Sequence, residues 1–363
     1  MLMFNYKKSS DQVFNDLVET MAELGSDFTA GNGNTAEYAE KNATFNESFA
    51  KYCVEKSGDE FTGLDMLKDP NYVNNNNAFY RAFSTVLAQA ITPTVPQLVS
   101  NNYGQLFDVH QCGWGDNAEF TVESNEYFTV YNLAEGINMG TQQTAYNNTY
   151  TITAQKRSIS VQVDWYHVAA GLQNWGNFAT KVAKSFQAYI FASAIKAMTK
   201  ALTQTSTLGI AGYTGLGFTD DNWVTVAQNV SLANGGADTY ALGTLRAISK
   251  VLPSDGAFRY GPNDDVTKVG YLPAYKNVPI VRLDQALVPG SINTATPTSL
   301  VNDNLIFFIA MGGFKPIHVV FEGNNVAIDL NPMETKDCTY GLTISMYLGV
   351  DTVVGSKFGT LTI

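Results

Sequence analysis

Charge is scarce in this sequence. Only 15% of its 363 residues are Asp, Glu, Lys or Arg, against roughly 25% in ordinary globular domains. The charges are also unbalanced: 22 Lys and Arg face 33 Asp and Glu, a net charge of −11. This excludes nucleic-acid binding through a bulk electrostatic field, which needs clustered cations. Cysteine is nearly missing. Cys53, Cys112 and Cys338 are too few and too scattered for a disulfide framework or a closed zinc site. Long apolar runs are missing as well. No stretch reaches the ~20 residues that a bilayer span needs; the longest candidate, 186–198, is short and contains Lys196. Residues 1–8 lead into no apolar core of signal-peptide length. These absences predict a soluble protein made in the cytoplasm, with no membrane partner.

Asn, Thr, Ser and Gln take the place of charge, so much of the surface is polar and uncharged. Durable contact surfaces are also poor in charge at their centres, which leaves room for large interfaces. The length fits two or three domains at about 150 residues each, and apolar residues, at 45%, suffice for a core without covalent staples.

Hydrophobic periodicity divides the chain. Val13, Leu17, Val18 and Met21 recur at helical spacing after a capping Asp11. Gly31-Asn32-Gly33-Asn34 breaks this segment, and a second helix is predicted near 47–56. Helical spacing resumes at Phe79, Phe83, Val86, Leu87 and Ala90. It is predicted to stop at Thr92-Pro93-Thr94-Val95-Pro96, because proline disfavours helix in the residue before it. From 104 to 163 the period becomes two. Runs at 118–123 and 126–131, answered by 150–154 and 159–163, predict strands around a wide polar tip at 132–149. A two-stranded ribbon is marginal alone in water and needs a surface to lie on, for which a neighbouring subunit is a natural candidate. Phe178, Val182, Phe186, Ile190, Ala194, Met198 and Leu202 then form an unbroken i+4 series. This predicts a helix of about 45 Å starting at Asn174 or Asn177. Beyond the glycines at 209, 212, 215 and 217, helix and strand alternate: a helix opened by Asp220-Asp221, a strand at 238–243 and a helix capped by Thr244. Strands follow at 279–283, 305–310, 317–321 and 326–330, with a last long one at 340–354. The class is α+β, without internal repeats.

Catalytic signatures are weak. His110 and Cys112 are two apart, but no second pair stands at ligand spacing, and His167 and His318 are remote. No metal site is therefore predicted, and no cofactor. Gly212-Tyr213-Thr214-Gly215-Leu216-Gly217 has the glycines of a phosphate loop in the wrong order, with no following Lys-Ser/Thr. It reads as a flexible joint. No Gly-x-Ser-x-Gly or His-Glu-x-x-His occurs. Asp220-Asp221 and Asp264-Asp265 have the residue types for glycoside hydrolysis. They are explained more simply, the first pair as charge at a helix N-terminus and the second as a solvated loop. Lys181, Lys184, Lys196 and Lys200 read as a solvated helix edge whose stems lie on apolar surface. The aromatic ribbon residues Phe120, Tyr127, Phe128 and Tyr131 suit either a sugar platform or packing on a neighbour.

The order of these parts resembles the major capsid proteins of tailed bacteriophages, the Hong Kong-phage capsid fold. The resemblance covers roughly 80–355. It rests on Gly113-Trp114-Gly115-Asp116-Asn117-Ala118-Glu119-Phe120-Thr121-Val122 with the return Thr151-Ile152-Thr153-Ala154-Gln155-Lys156-Arg157, on the long helix 174–203, and on the helix-strand-helix 221–253. It implies an N-terminal arm and helices (1–103), an extended β-hairpin with peripheral-domain strands (104–163), a spine helix (164–208), an axial domain (209–339) and a C-terminal strand returning to the peripheral domain (340–363). The first 70 residues match nothing in that fold and read as an extended arm or a segment removed on maturation. The resemblance further implies a non-enzymatic shell protein that assembles with itself into pentamers and hexamers of an icosahedral phage head. That head would be built in the host cytoplasm around double-stranded DNA held without sequence-specific contacts. Scaffolding, portal and decoration proteins would be further partners. Each hairpin would lie on the neighbour's spine helix, which places Phe120, Phe128, Tyr131, Phe186, Ile190 and Phe191 at a subunit interface. Gly212 and Gly215 would be a hinge. Some relatives cross-link through a hairpin lysine; the tip here has none, the nearest being Lys156, so no catalytic residue is assigned. Two alternatives remain: a bacterial nanocompartment shell of the same fold, and a carbohydrate-binding or carbohydrate-cleaving surface protein.

Overall fold

The computed structural model describes residues 11–69, 72, 76–103, 107–123, 128–132, 142–143, 147–202, 205–206, 209–210, 212–215, 217–252, 270–283, 301–310, 315–330, 339–352 and 357–363, with scattered residues between 285 and 299. Tyr127, the Asp264-Asp265 pair, Cys338 and most of the hairpin tip lie outside them.

Three helices open the chain. α1 (Gln12–Thr29) is capped by the Asp11 side chain, which accepts from the Phe14 N–H. Leu17, Val18 and Met21 are buried as expected, while Val13 faces solvent and Phe14 takes the inner position instead. Gly31 turns the chain with φ 91°. α2 (Ala36–Ser57) starts well before the expected 47, because Thr35 caps it through the Tyr38 N–H. α3 (Asn77–Tyr103) runs straight through Pro93 and Pro96. The sequence rule fails there because Ile91, Val95 and Val99, all fully buried, continue the helical stripe. Their burial offsets the backbone bonds that proline removes.

α4 (Trp165–Ala169) is a single turn, and α5 (Trp175–Leu202) is the long helix. Asn174 starts it: its Oδ1 accepts from the Asn177 N–H at 2.9 Å and from the Tyr38 hydroxyl at 2.7 Å. At 1.5 Å per residue, its 28 residues span about 42 Å. Gly176 lets α1 come close; a Cβ there would lie 2.6 Å from the Leu24 carbonyl oxygen. The centre of the molecule is an aromatic knot. Phe83 of α3 stacks on Phe49 of α2 (4.8 Å between centroids) and meets Trp175 of α5 edge-on at 5.3 Å.

Among the described residues, a four-stranded and a six-stranded sheet complete the fold, beside two two-stranded pairs. The strands are β1 (Phe107–Cys112), β2 (Ala118–Glu123), β3 (Asn147–Ile152), β4 (Gln155–Asp164), β5 (Thr205–Ser206), β6 (Gly209–Ile210), β7 (Gly212–Gly215), β8 (Thr239–Thr244), β9 (Ala274–Tyr275), β10 (Val278–Leu283), β11 (Leu305–Ala310), β12 (Ile317–Leu330), β13 (Thr339–Thr352) and β14 (Phe358–Thr362). The first sheet has the order β1-β12-β13-β4 and the second β7-β14-β11-β8-β10-β9. In the first, Phe107, Ile317, Val319, Leu342 and Ile344 join the core of α1, α2, α3 and α5. Tyr340 of β13 meets Phe83 at 5.1 Å. In the second, Trp223 and Val226 of α6 (Asp220–Ala233) and Ala247 and Ile248 of α7 (Leu245–Ile248) pack on Ile306, Phe308 and Leu361. Thr219 and Thr244 cap these two helices.

Sheet membership moves the expected boundaries. β12, placed by sequence in the axial domain, pairs with β1 and β13 in the first sheet. β14, placed in the returning strand, pairs with β11 and β7 in the second. The two runs 317–321 and 326–330 are one strand with a bulge between Glu322 and Val326. Residues 159–163 pair with β13 rather than with the hairpin. Residues 11–69, expected as an extended arm or a removable segment, instead carry helices that form one side of the core, with Met21, Phe49 and Cys53 almost wholly buried.

Candidate functional site

The hairpin is built as the alternation predicts only at its base. β2 pairs antiparallel with β3 from Ala118↔Ile152 to Glu123↔Asn147, with Phe120 opposite Tyr150. Ala118, Val122 and Ile152 close a small cluster over Val320 of β12. The turn before β2 is tied down as well. The Gly115 N–H donates to Glu322 Oε1 at 2.7 Å, and the Trp114 ring covers Gly323 and meets Tyr347 at 5.4 Å. Gly323 has φ 63°, and a Cβ there would run into the indole, so only glycine suits this bulge.

Beyond the base the expected strand 126–131 does not form in its described part; residues 128–132 are irregular. The Gln143 side chain replaces a ladder there, accepting from the Thr129 N–H and donating to the Thr129 carbonyl, both at 2.7 Å. Phe128 is 62% exposed, Val130 93% and Tyr131 48%. Three large apolar side chains within four residues are an uncovered surface of the kind that marks an interaction site.

The six expected interface residues therefore divide. Phe128 and Tyr131 stand in solvent. Phe120 is partly buried against the ring of His318, 4.4 Å between centroids, and that of His110, 4.8 Å. Phe186, Ile190 and Phe191 are at most 2% exposed within the single chain. They are core residues of the subunit, already covered by its own elements, and offer a neighbour no surface. The apolar faces of α5 are covered by α1 and α3 on one side and the first sheet on another. Lys181, Lys184, Lys196 and Lys200 are exposed along its remaining edge.

The expected hinge also changes character. Gly212 and Gly215 lie in β7, paired with Phe358 and Leu361 of β14. A Cβ on Gly215 would approach Leu361 Cδ1 to 2.6 Å and Val226 Cγ2 to 3.0 Å. Gly215 permits close packing at a sheet edge, and both glycines lie in a paired strand rather than a free joint. Asp220 is structural: its carboxylate accepts from the Tyr275 hydroxyl at 2.6 Å and pairs with Lys276 at 3.3 Å. Asp221 also stays in the first turn of α6.

One cluster escaped the sequence reading. β1 and β12 pair in parallel with Asp108 beside His318. Asp108 and His110, two apart on a strand, share a face, so three polar side chains meet under Phe120. His110 Nε2 lies 2.9 Å from Asp108 Oδ2, and His318 Nδ1 lies 3.7 Å from the same oxygen. The imidazoles stack, 5.6 Å between centroids. Burial pushes the His318 pKa down to about 4, against the attraction of Asp108. Only the strand pairing could reveal this set, because His318 is remote from the other two in sequence. Cys112, two residues from His110 in sequence, is not one of these three.

A family described as "SPbeta prophage-derived putative capsid protein YonB" matches residues 13–362. The match spans nearly the whole chain, and the protein belongs to this phage capsid protein family. No curated protein matches it. Among solved structures it is similar to the mature capsid of bacteriophage PhiM1, with 10% identity over 71% of this chain and 85% of that one and a TM-score of 0.48. It is similar to the capsid of the native GTA particle, with 12% identity over 73% and 90% and a TM-score of 0.49. It is also similar to a virus-like particle from Pyrococcus furiosus, with 12% identity over 75% and 97% and a TM-score of 0.43. The family match establishes the class: this is a phage capsid protein.

Proposed function

We propose that this chain is the major shell subunit of a phage head and has no enzymatic role. Five or six copies ring an axis through their second sheets and close, as pentamers and hexamers, an icosahedral shell around double-stranded DNA, assembled in the host cytoplasm. The observation that carries this reading is the hairpin, fastened at its base and exposed at Phe128, Val130 and Tyr131. A two-stranded ribbon with an apolar end is marginal alone and is stabilised by lying on another copy. Exposed Val224, Leu232, Leu245 and Leu252 around α6 and α7 offer a second apolar surface for contacts about the axis. Rings require head-to-tail contacts between unlike surfaces, and these two patches lie on different elements, one on the hairpin and one around α6 and α7. The acidic balance of the chain, net −11, suits a container that does not clamp its DNA.

The test is the double variant Phe128→Asp with Tyr131→Asp. Its subunit should fold with unchanged circular dichroism and melting temperature, and its high-mass particles should vanish in analytical ultracentrifugation. Particles of unaltered abundance would remove the hairpin from the assembly mechanism. Protein cargo in place of DNA inside purified particles would favour a nanocompartment.

A further inference from the structure

We propose that Asp108, His110 and His318 form a binding site for one divalent transition-metal ion of the zinc type, which fastens β1 to β12 beneath the hairpin. The three side chains offer one carboxylate oxygen and two imidazole nitrogens, all within 4.8 Å of one another. The separations of 2.9 Å, a hydrogen bond without the ion, and 3.7 Å bracket the ~3.3–3.6 Å between neighbouring ligands of a tetrahedral ion with bonds of ~2.0–2.2 Å. A small inward movement of the imidazoles closes the set.

Three further observations support the site. His318 Nδ1 is buried and has no hydrogen-bond partner. An unmet buried polar atom is costly, and coordination would satisfy it. The backbone is fixed on both sides, since Asp108 and His318 are register partners in a paired ladder, so the donors are preorganised. The site is also reachable: the Asp108 and His110 side chains are 42% and 38% exposed, whereas His318 is 13% exposed. The ion would enter from the open side and rest on the buried nitrogen. Two imidazoles with one carboxylate suit zinc, cobalt or iron rather than calcium or magnesium, which take oxygen ligands. Three protein ligands leave a fourth position for water. Phe120 lies against both imidazoles, so an ion that immobilises them also stiffens the root of the hairpin.

The experiment uses tag-free full-length protein stripped with chelator and titrated with Zn²⁺ by calorimetry and with Co²⁺ by visible absorption. One ion should bind per chain, Ca²⁺ should not compete, and the melting temperature should rise on loading. His110→Ala and His318→Ala should each weaken binding roughly tenfold or more. His167→Ala, which alters a histidine beside Asp164 elsewhere on the surface, should leave it unchanged. His110 is partly exposed, so His110→Ala decides the matter even if His318→Ala fails to fold. No uptake, uptake unaffected by His110→Ala, or equal loss in His167→Ala would overturn the proposal.

Discussion

Phe186→Ala separates two roles for the long helix. Phe186 is 2% exposed in the single chain and belongs to the main core with Ile190 and Phe191. Truncating it removes a phenyl ring from contact and leaves a cavity that α1, α3 and the first sheet fill only in part. Deletions of this kind cost about 3–5 kcal/mol. With an unfolding entropy of ~2.1 cal/mol/K per residue, a chain of 363 residues should lose about 4–7 °C in melting temperature. The assay is thermal unfolding of the subunit below its assembly concentration, followed by circular dichroism. Phe128→Ala, at an exposed site, serves as the contrast and should move subunit stability by no more than ~0.5 kcal/mol while weakening assembly. A Phe186→Ala subunit melting within 1 °C of the parent, roughly the resolution of such a scan, with its particles lost, would refute the core assignment and return Phe186 to the interface.

Three further outcomes are expected. Gly215→Val should overpack Leu361 and Val226 and destabilise the second sheet by about 1–3 kcal/mol, read by urea unfolding; altered shell form with an unchanged urea midpoint would restore the hinge. Asn174→Ala should remove the α5 cap and the Tyr38 bond together, costing about 1–2 kcal/mol by the same measurement. The metal-free protein should lose stability as pH falls from 6.5 toward 4. His318 takes up a proton in the unfolded chain near 6.5 but resists it in the fold until about 4, a difference of at most about 3 kcal/mol. His318→Gln should flatten that part of the stability-against-pH curve, and an unchanged curve would place the effect elsewhere.

Much of the architecture was legible in the chain. The i+4 series from Phe178 to Leu202 and the caps at Asp11 and Thr244 act over a few residues, and the structure reproduces them. The long-range partners were not legible. Periodicity showed that Phe186 and Ile190 must be covered but not by what; the cover comes from helices more than seventy residues away in sequence. Pro93 and Pro96 read as a stop because the rule is local, whereas Ile91, Val95 and Val99 are held by tertiary burial. The sheet exchange of β12 and β14 depends on pairings between distant strands. So does the meeting of His318 with Asp108 and His110, which spacing along the chain could not reveal.

Self-assembly of this capsid-family chain into closed shells decides the proposed function. Negative-stain electron microscopy of the purified full-length protein, beside its size-exclusion profile across salt and protein concentration, tests it most directly. Rings or closed particles built from the one chain are expected, with DNA protected from added nuclease inside particles recovered from the phage host. A strict monomer under every condition, with and without a co-expressed scaffold, would contradict it.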